Sequence, residues 1–171
     1  IIQKQILLAY EQDFSKHAPN EIVPRIRMLW NSIPFQLAKE NRKFIYGALK
    51  SGSRSKDYEL ALSWLINCGL VHKVNRASKP GIPLKAYEDF GAFKLFLVDI
   101  GNSIFEEFKG ALTEQYVLQQ IILIPDLAIY YWSAEKATAE IDFLVQYFGE
   151  VIPIEVKAEE NLHAKSLKTF C

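Results

Sequence analysis

Ala139-Glu140-Ile141-Asp142-Phe143-Leu144-Val145-Gln146-Tyr147-Phe148 is followed by Gly149-Glu150 and then by Val151-Ile152-Pro153-Ile154-Glu155-Val156-Lys157. The first run alternates at its start, the second is almost wholly apolar, and a Gly-led dipeptide separates them. That is the pattern of a β-hairpin. Gly149-Glu150 suits a two-residue type II′ turn, which takes Gly at its first central position. Such a turn predicts Phe148 opposite Val151, Leu144 opposite Glu155 and Asp142 opposite Lys157. Side chains alternate faces along a strand, so Asp142, Glu155 and Lys157 are expected on one face. Opposed Cβ atoms lie about 5 Å apart and diagonal ones about 7–8 Å, close enough for the three head groups to meet.

Two carboxylates and an ammonium at that spacing have a chemical use. Mg²⁺ prefers carboxylate oxygens and keeps several waters. Asp142 and Glu155 are the candidate metal ligands, with the Val156 carbonyl as a third donor. Such an ion polarises a phosphodiester and activates water. Lys157 is placed to orient that water or to offset transition-state charge. Glu114, near the middle of a preceding helix, is a further acid for the cluster. The plainer alternative is a cross-strand Asp142–Lys157 ion pair with Glu155 in solvent. Against it, the second strand reads as a central one buried on both faces, where charges need partners or a metal. Pro153 fits such a strand only where no ladder bond is needed.

Working outward, Ile104–Ile122 is expected to be helical and Ala128–Trp132 a strand, with a further helix from about Ala164. Upstream, helical spacing is seen over residues 3–14, at Pro24–Trp30, and from Ser32-Ile33-Pro34-Phe35 to Ala38. It is clearest over 57–68, where Leu60, Ala61, Trp64, Leu65 and Cys68 form a stripe and Gly69 a C-terminal cap. Strands are expected at Leu70–Val74, Leu84–Tyr87 and Phe93–Val98, with a basic turn-rich loop over 75–83. Helices, a strand, a basic loop and a returning strand make a winged-helix-like order. The expected fold is therefore α+β. A winged-helix-like module (1–98) precedes an αβ domain with a central mixed sheet (99–171), the latter truncated at its C-terminus.

The chain's 20 basic and 20 acidic residues cancel, but not locally. Lys39–Lys85 holds ten Lys/Arg against three acids, and Ala86–Glu160 holds fourteen acids against four bases. The basic stretch offers Lys50, Arg54, Lys56, Lys73, Arg76 and Lys79 as candidate nucleic-acid contacts. A solvated surface, or a basic face docked on an acidic one, explains it equally well. Cys68 and Cys171 form no Cys-x-x-Cys pair and three histidines are scattered, which argues against zinc. Cys68 is expected to be a small buried side chain, and a reduced, cytoplasmic setting follows. No apolar run reaches the roughly 20 residues that a membrane span needs. Without an initiating Met, the chain is expected to start inside a larger protein.

Ala139–Val145 followed by Ile152–Ala158 resembles the Asp…Glu-x-Lys core of the PD-(D/E)XK, or restriction-endonuclease-like, superfamily. Ala111-Leu112-Thr113-Glu114-Gln115-Tyr116-Val117 resembles its upstream glutamate helix. More narrowly, Tyr10–Phe14, Ile33–Leu37, Trp64–Val71, Lys79–Leu84, Phe93–Gly101 and Lys165–Leu167 are, in this order, similar to landmarks in the C-terminal region of a prokaryotic family of AAA-type ATPases, itself of unknown function. The resemblance implies catalytic roles for Glu114, Asp142, Glu155 and Lys157, Mg²⁺ as cofactor, DNA as a partner, and an N-terminal ATPase domain as the other. ATP belongs only to that domain. Gly47-Ala48-Leu49-Lys50-Ser51-Gly52 is followed by Ser53-Arg54, so it is no P-loop. The family continues Asp-Ile-Gly with a leucine-rich stretch, whereas here Gly101 meets Asn102-Ser103-Ile104; either that loop is deleted or a segment has been closed up at this point, and the second is the expectation. The competing reading is a catalytically inactive nuclease-fold tail that binds DNA or protein.

Overall fold

The computed structural model describes residues 2–39, 43–98, 109–134 and 139–158. Among them are four α-helices and a five-stranded mixed sheet, an α+β architecture that is helical first and sheet-bearing later. Two compact units divide the chain: Ile1–Lys73 with Leu95–Ala111, and Val74–Lys94 with Leu112–Cys171. No helix among the described residues is long and apolar enough to cross a membrane.

The first unit is built on α1 (Ile2–His17), α2 (Val23–Leu37) and α3 (Ser55–Asn67). Two short helices were expected within 24–38, but α2 is one helix that runs through Pro34. Proline removes one ladder bond, yet Ile26, Leu29, Trp30, Ile33 and Leu37 are buried along a single stripe and hold the turns together. Phe14 of α1 is fully buried, edge-on to Trp30 and Trp64 with centroids 5.4 and 5.9 Å away.

The buried face of α3 is Tyr58, Ala61, Leu62 and Leu65, not the expected 60/61/64/65/68 stripe. The observed set has i, i+3, i+4, i+7 spacing, and Leu60 is exposed. Apolar residues occur nearly all round this helix, so periodicity alone leaves two overlapping stripes. Cys68 is correspondingly exposed, a correction to its expected burial. It is the C-cap residue, beyond the packed turn. Gly69 ends the helix as expected: it has φ +71°, and Leu70 N–H reaches back to the Leu65 carbonyl at 3.0 Å.

The sheet order is β2-β1-β3-β4-β5, with β1 (Val71–Ala77), β2 (Glu88–Leu97), β3 (Ala128–Ser133), β4 (Glu140–Tyr147) and β5 (Glu150–Ile154). The two strands that the winged-helix order assigned to the wing thus stand in the same sheet as the later hairpin. β1 runs parallel to β3, while β3–β4 and β4–β5 are antiparallel. Leu84–Tyr87, expected to be a strand, forms a 3-10 turn. Its Leu84 packs with Ala77, Tyr130 and Leu144 in the second unit's core, and the Leu84 N–H donates to Gln146 Oε1 at 2.7 Å. The helix expected over 104–122 is described from Lys109 as α4 (Lys109–Ile121). The helix expected from Ala164 lies outside the described residues.

The hairpin register differs from the expected one. Tyr147 pairs with Glu150, Gln146 with Val151, Leu144 with Pro153 and Phe143 with Ile154. The turn residues are Phe148 and Gly149, with φ of 46° and 80°. Positive φ at both central positions is the signature of a type I′ turn, whose twist matches that of the strands. Pairing moves by two residues along β5, and an even slip leaves every side chain on its original face. Among the described residues β5 is also an edge strand, not the expected central one, so Pro153 is admissible there. Phe148 is 89% exposed and holds an αL conformation that bulky side chains resist. Phe148→Asn is expected to raise stability by about 1 kcal/mol in thermal melts; a lower melting point would contradict this account of the turn.

Candidate functional site

Asp142 lies in the buried middle of β4, between Ile141 and Phe143. One residue beyond the final ladder pair, Phe143–Ile154, the register sets it across from Glu155 instead of Lys157. Its Oδ2 accepts a hydrogen bond from the Val156 N–H at 2.8 Å, just where β5 leaves the sheet. That bond ties the carboxylate to the backbone between the other two candidate residues. Glu155 has a side chain only 4% exposed, and Lys157 Nζ lies 2.5 Å from its Oε1. The cross-strand Asp142–Lys157 ion pair of the plainer alternative is thus replaced by an i, i+2 pair on one side of the chain. Glu155 is not solvated, and its buried charge has a partner, as burial demands.

Glu114 is positioned by α4. Its side chain is 1% exposed, and its Oε2 is 3.7 Å from Nζ of Lys94, itself wholly buried on β2. Lys94 also donates to Glu140 Oε1 on β4, and its ammonium sits 4.9 Å from the centroid of the Tyr131 ring. Burial, with the Glu140 carboxylate adding to it, pushes the Tyr131 phenol well above its ordinary range, so Tyr131 remains a neutral neighbour. Among the described residues, no three or more His, Cys, Asp and Glu side chains are grouped as a metal site. The structure therefore ties Asp142 to the Val156 amide, pairs Glu155 with Lys157 on either side of Val156 in the chain, and gives Glu114 a cationic partner of its own.

Lys94 and Glu140 were missed by sequence reasoning. A signal existed, because Lys94 interrupts the apolar run Phe93, Leu95, Phe96, Leu97 and Val98. Such a lysine in a buried strand must be paired.

The basic candidates divide by environment. Lys50, Arg54 and Lys56, in the first unit, are exposed. Arg54 is at the start of α3, where its N–H donates to Asp57 Oδ2 at 3.1 Å and its guanidinium lies 3.7 Å from the same oxygen. Lys73 is partly buried. In the second unit, Arg76 is committed to Asp89 at 3.0 Å, and Lys79 lies over the Tyr87 ring at 4.6 Å. A groove of about 200 Å³ in the first unit is lined by Ile22, Arg25, Lys56, Asp57, Leu60 and Ala61, and so carries both signs of charge.

Two family models match the sequence. One, described as Domain of unknown function (DUF8612), covers residues 1–103. The other, described as Domain of unknown function (DUF4143), covers residues 109–171. No curated protein and no solved structure matches the chain.

Proposed function

The chain belongs to the DUF8612 family, and on that premise we propose that it is the C-terminal part of an AAA-type ATPase, carrying a Mg²⁺-dependent nuclease-like site at Asp142, Glu155 and Lys157. The observation that carries the reading is the hydrogen bond from the Val156 N–H to Asp142, made between the two chain neighbours Glu155 and Lys157 that pair with each other. The donor set suits a hard cation. Mg²⁺ is held by one or two carboxylates and keeps water on its other positions, so Asp142 and Glu155 suffice without a third acid. When bound, the ion supplies Lewis-acid polarisation of a phosphodiester.

The remaining work falls to the chain's own groups. Asp142 is fixed in orientation by the Val156 N–H. Glu155 is held in a nearly buried position by its ion pair with Lys157. Lys157, 40% exposed along its side chain, is placed both to hold Glu155 and to face an incoming phosphate. Exposed cations at Lys50, Arg54, Lys56 and Lys79 are proposed to contact the DNA backbone.

The test is incubation of the 171-residue chain with supercoiled plasmid and with single-stranded DNA in Mg²⁺ or Mn²⁺. Cleavage that EDTA stops and that Lys157→Ala abolishes is the expected result; no cleavage of any substrate in either metal contradicts it. A second reading, an inactive nuclease-fold tail that binds DNA, is favoured by the commitment of Glu114 to Lys94. It predicts salt-sensitive DNA binding without turnover.

A further inference from the structure

The least expected charge in the second unit is Lys94. A lysine with no exposed side-chain surface is rare, and it persists only where anions meet it. Here two do: Glu114 Oε2 at 3.7 Å, from a helix, and Glu140 Oε1, from a neighbouring region of the sheet. Lys94 donates a hydrogen bond to Glu140 and meets Glu114 by charge, at a distance beyond hydrogen-bond reach. The Tyr131 ring at 4.9 Å adds a third favourable neighbour. Arg76 and Asp89, paired with each other, also act on Tyr131 with opposite signs.

We infer that Lys94 is a positioning residue, an internal cation that holds Glu114 and Glu140, and that Glu114 is therefore not a metal ligand. A Mg²⁺-like ion bonded to Glu114 would lie about 2.1 Å from a carboxylate oxygen. With Lys94 Nζ only 3.7 Å from Glu114 Oε2, a divalent ion and an ammonium would be forced together in a poorly screened interior. Glu155 meets an ammonium too, but Lys157 is 40% exposed and can swing into solvent when an ion arrives, whereas Lys94 is wholly enclosed and stays beside Glu114. As far as it concerns the ion, this inference rests on the proposed function: the site then takes a single ion, through Asp142 and Glu155.

The role of Lys94 itself does not rest on that reading, and the experiment separates the two. In the first arm, Mn²⁺ is titrated into the 171-residue chain and free Mn²⁺ is followed by electron paramagnetic resonance. One ion is expected, with affinity unchanged by Glu114→Gln and weakened by Asp142→Asn by roughly tenfold or more. Equal weakening by Glu114→Gln, or a second ion that this substitution removes, overturns the inference. In the second arm, thermal melting compares Lys94→Met with Lys94→Met/Glu114→Gln. Removing the cation orphans a buried carboxylate, and removing that charge as well should recover roughly 5–10 °C. A double variant that melts no higher than Lys94→Met, or fails to fold where the single one also fails, overturns the role of Lys94. Absence of Mn²⁺ binding by the unmodified chain counts against the proposed function, and Lys94 is then judged on melting alone.

Discussion

Asp142→Asn is expected to leave the fold intact and to lower metal-dependent cleavage by about 10³-fold. The two halves of this expectation have separate causes. Asn retains a side-chain oxygen where Asp142 Oδ2 accepts the Val156 N–H at 2.8 Å, so the departure of β5 from the sheet keeps its tether. What Asn lacks is the negative charge, and a hard cation depends on ligand charge for its affinity. Far-ultraviolet circular dichroism and the melting point should match those of the unmodified chain, while the plasmid-nicking rate in Mg²⁺ collapses. Equal rates for the two proteins would remove Asp142 from the metal site.

The second large effect concerns stability. Phe14→Ala is expected to cost about 3–5 kcal/mol, the range for a fully buried aromatic. Phe14 has no exposed surface, and its ring lies edge-on to both Trp30 and Trp64, at interplanar angles of 75° and 89°. Truncation therefore removes apolar burial and two oriented aromatic contacts, from one residue on each of α1, α2 and α3. Whole domains are stable by only about 5–15 kcal/mol, so this one change consumes much of the first unit's stability. Urea unfolding followed by tryptophan fluorescence gives the value, and Trp30 and Trp64 report from beside the lesion. A loss below about 1 kcal/mol would mean that the three helices do not depend on this contact.

Much of the hairpin was legible because period-two alternation survives errors of detail. The turn was misplaced by one residue, since Gly149-Glu150 satisfies a type II′ rule while a phenylalanine at φ 46° is an unusual choice for type I′. The face shared by Asp142 and Glu155 was unaffected, because the resulting slip is even. The partner of Lys157 was affected, because pairing identity depends on register and on how β5 ends. In the helices the limits were different. α3 has apolar residues on too many sides for periodicity to select a face, and Pro34 hid a continuous α2 that tertiary packing sustains. The Lys94–Glu114–Glu140 association joins residues far apart in the chain. Composition can require that a buried lysine be paired; it takes the folded arrangement to say with what.

The central claim is that Asp142 and Glu155 together hold a divalent ion. Crystals of the unmodified chain grown in Mn²⁺, with diffraction recorded at the manganese absorption edge, test it most directly. The account predicts one anomalous peak about 2.1 Å from a carboxylate oxygen of each residue, with none against Glu114. A fully ordered β4–β5 hairpin with no peak there, or a peak held by Glu114 in place of Lys94, contradicts it.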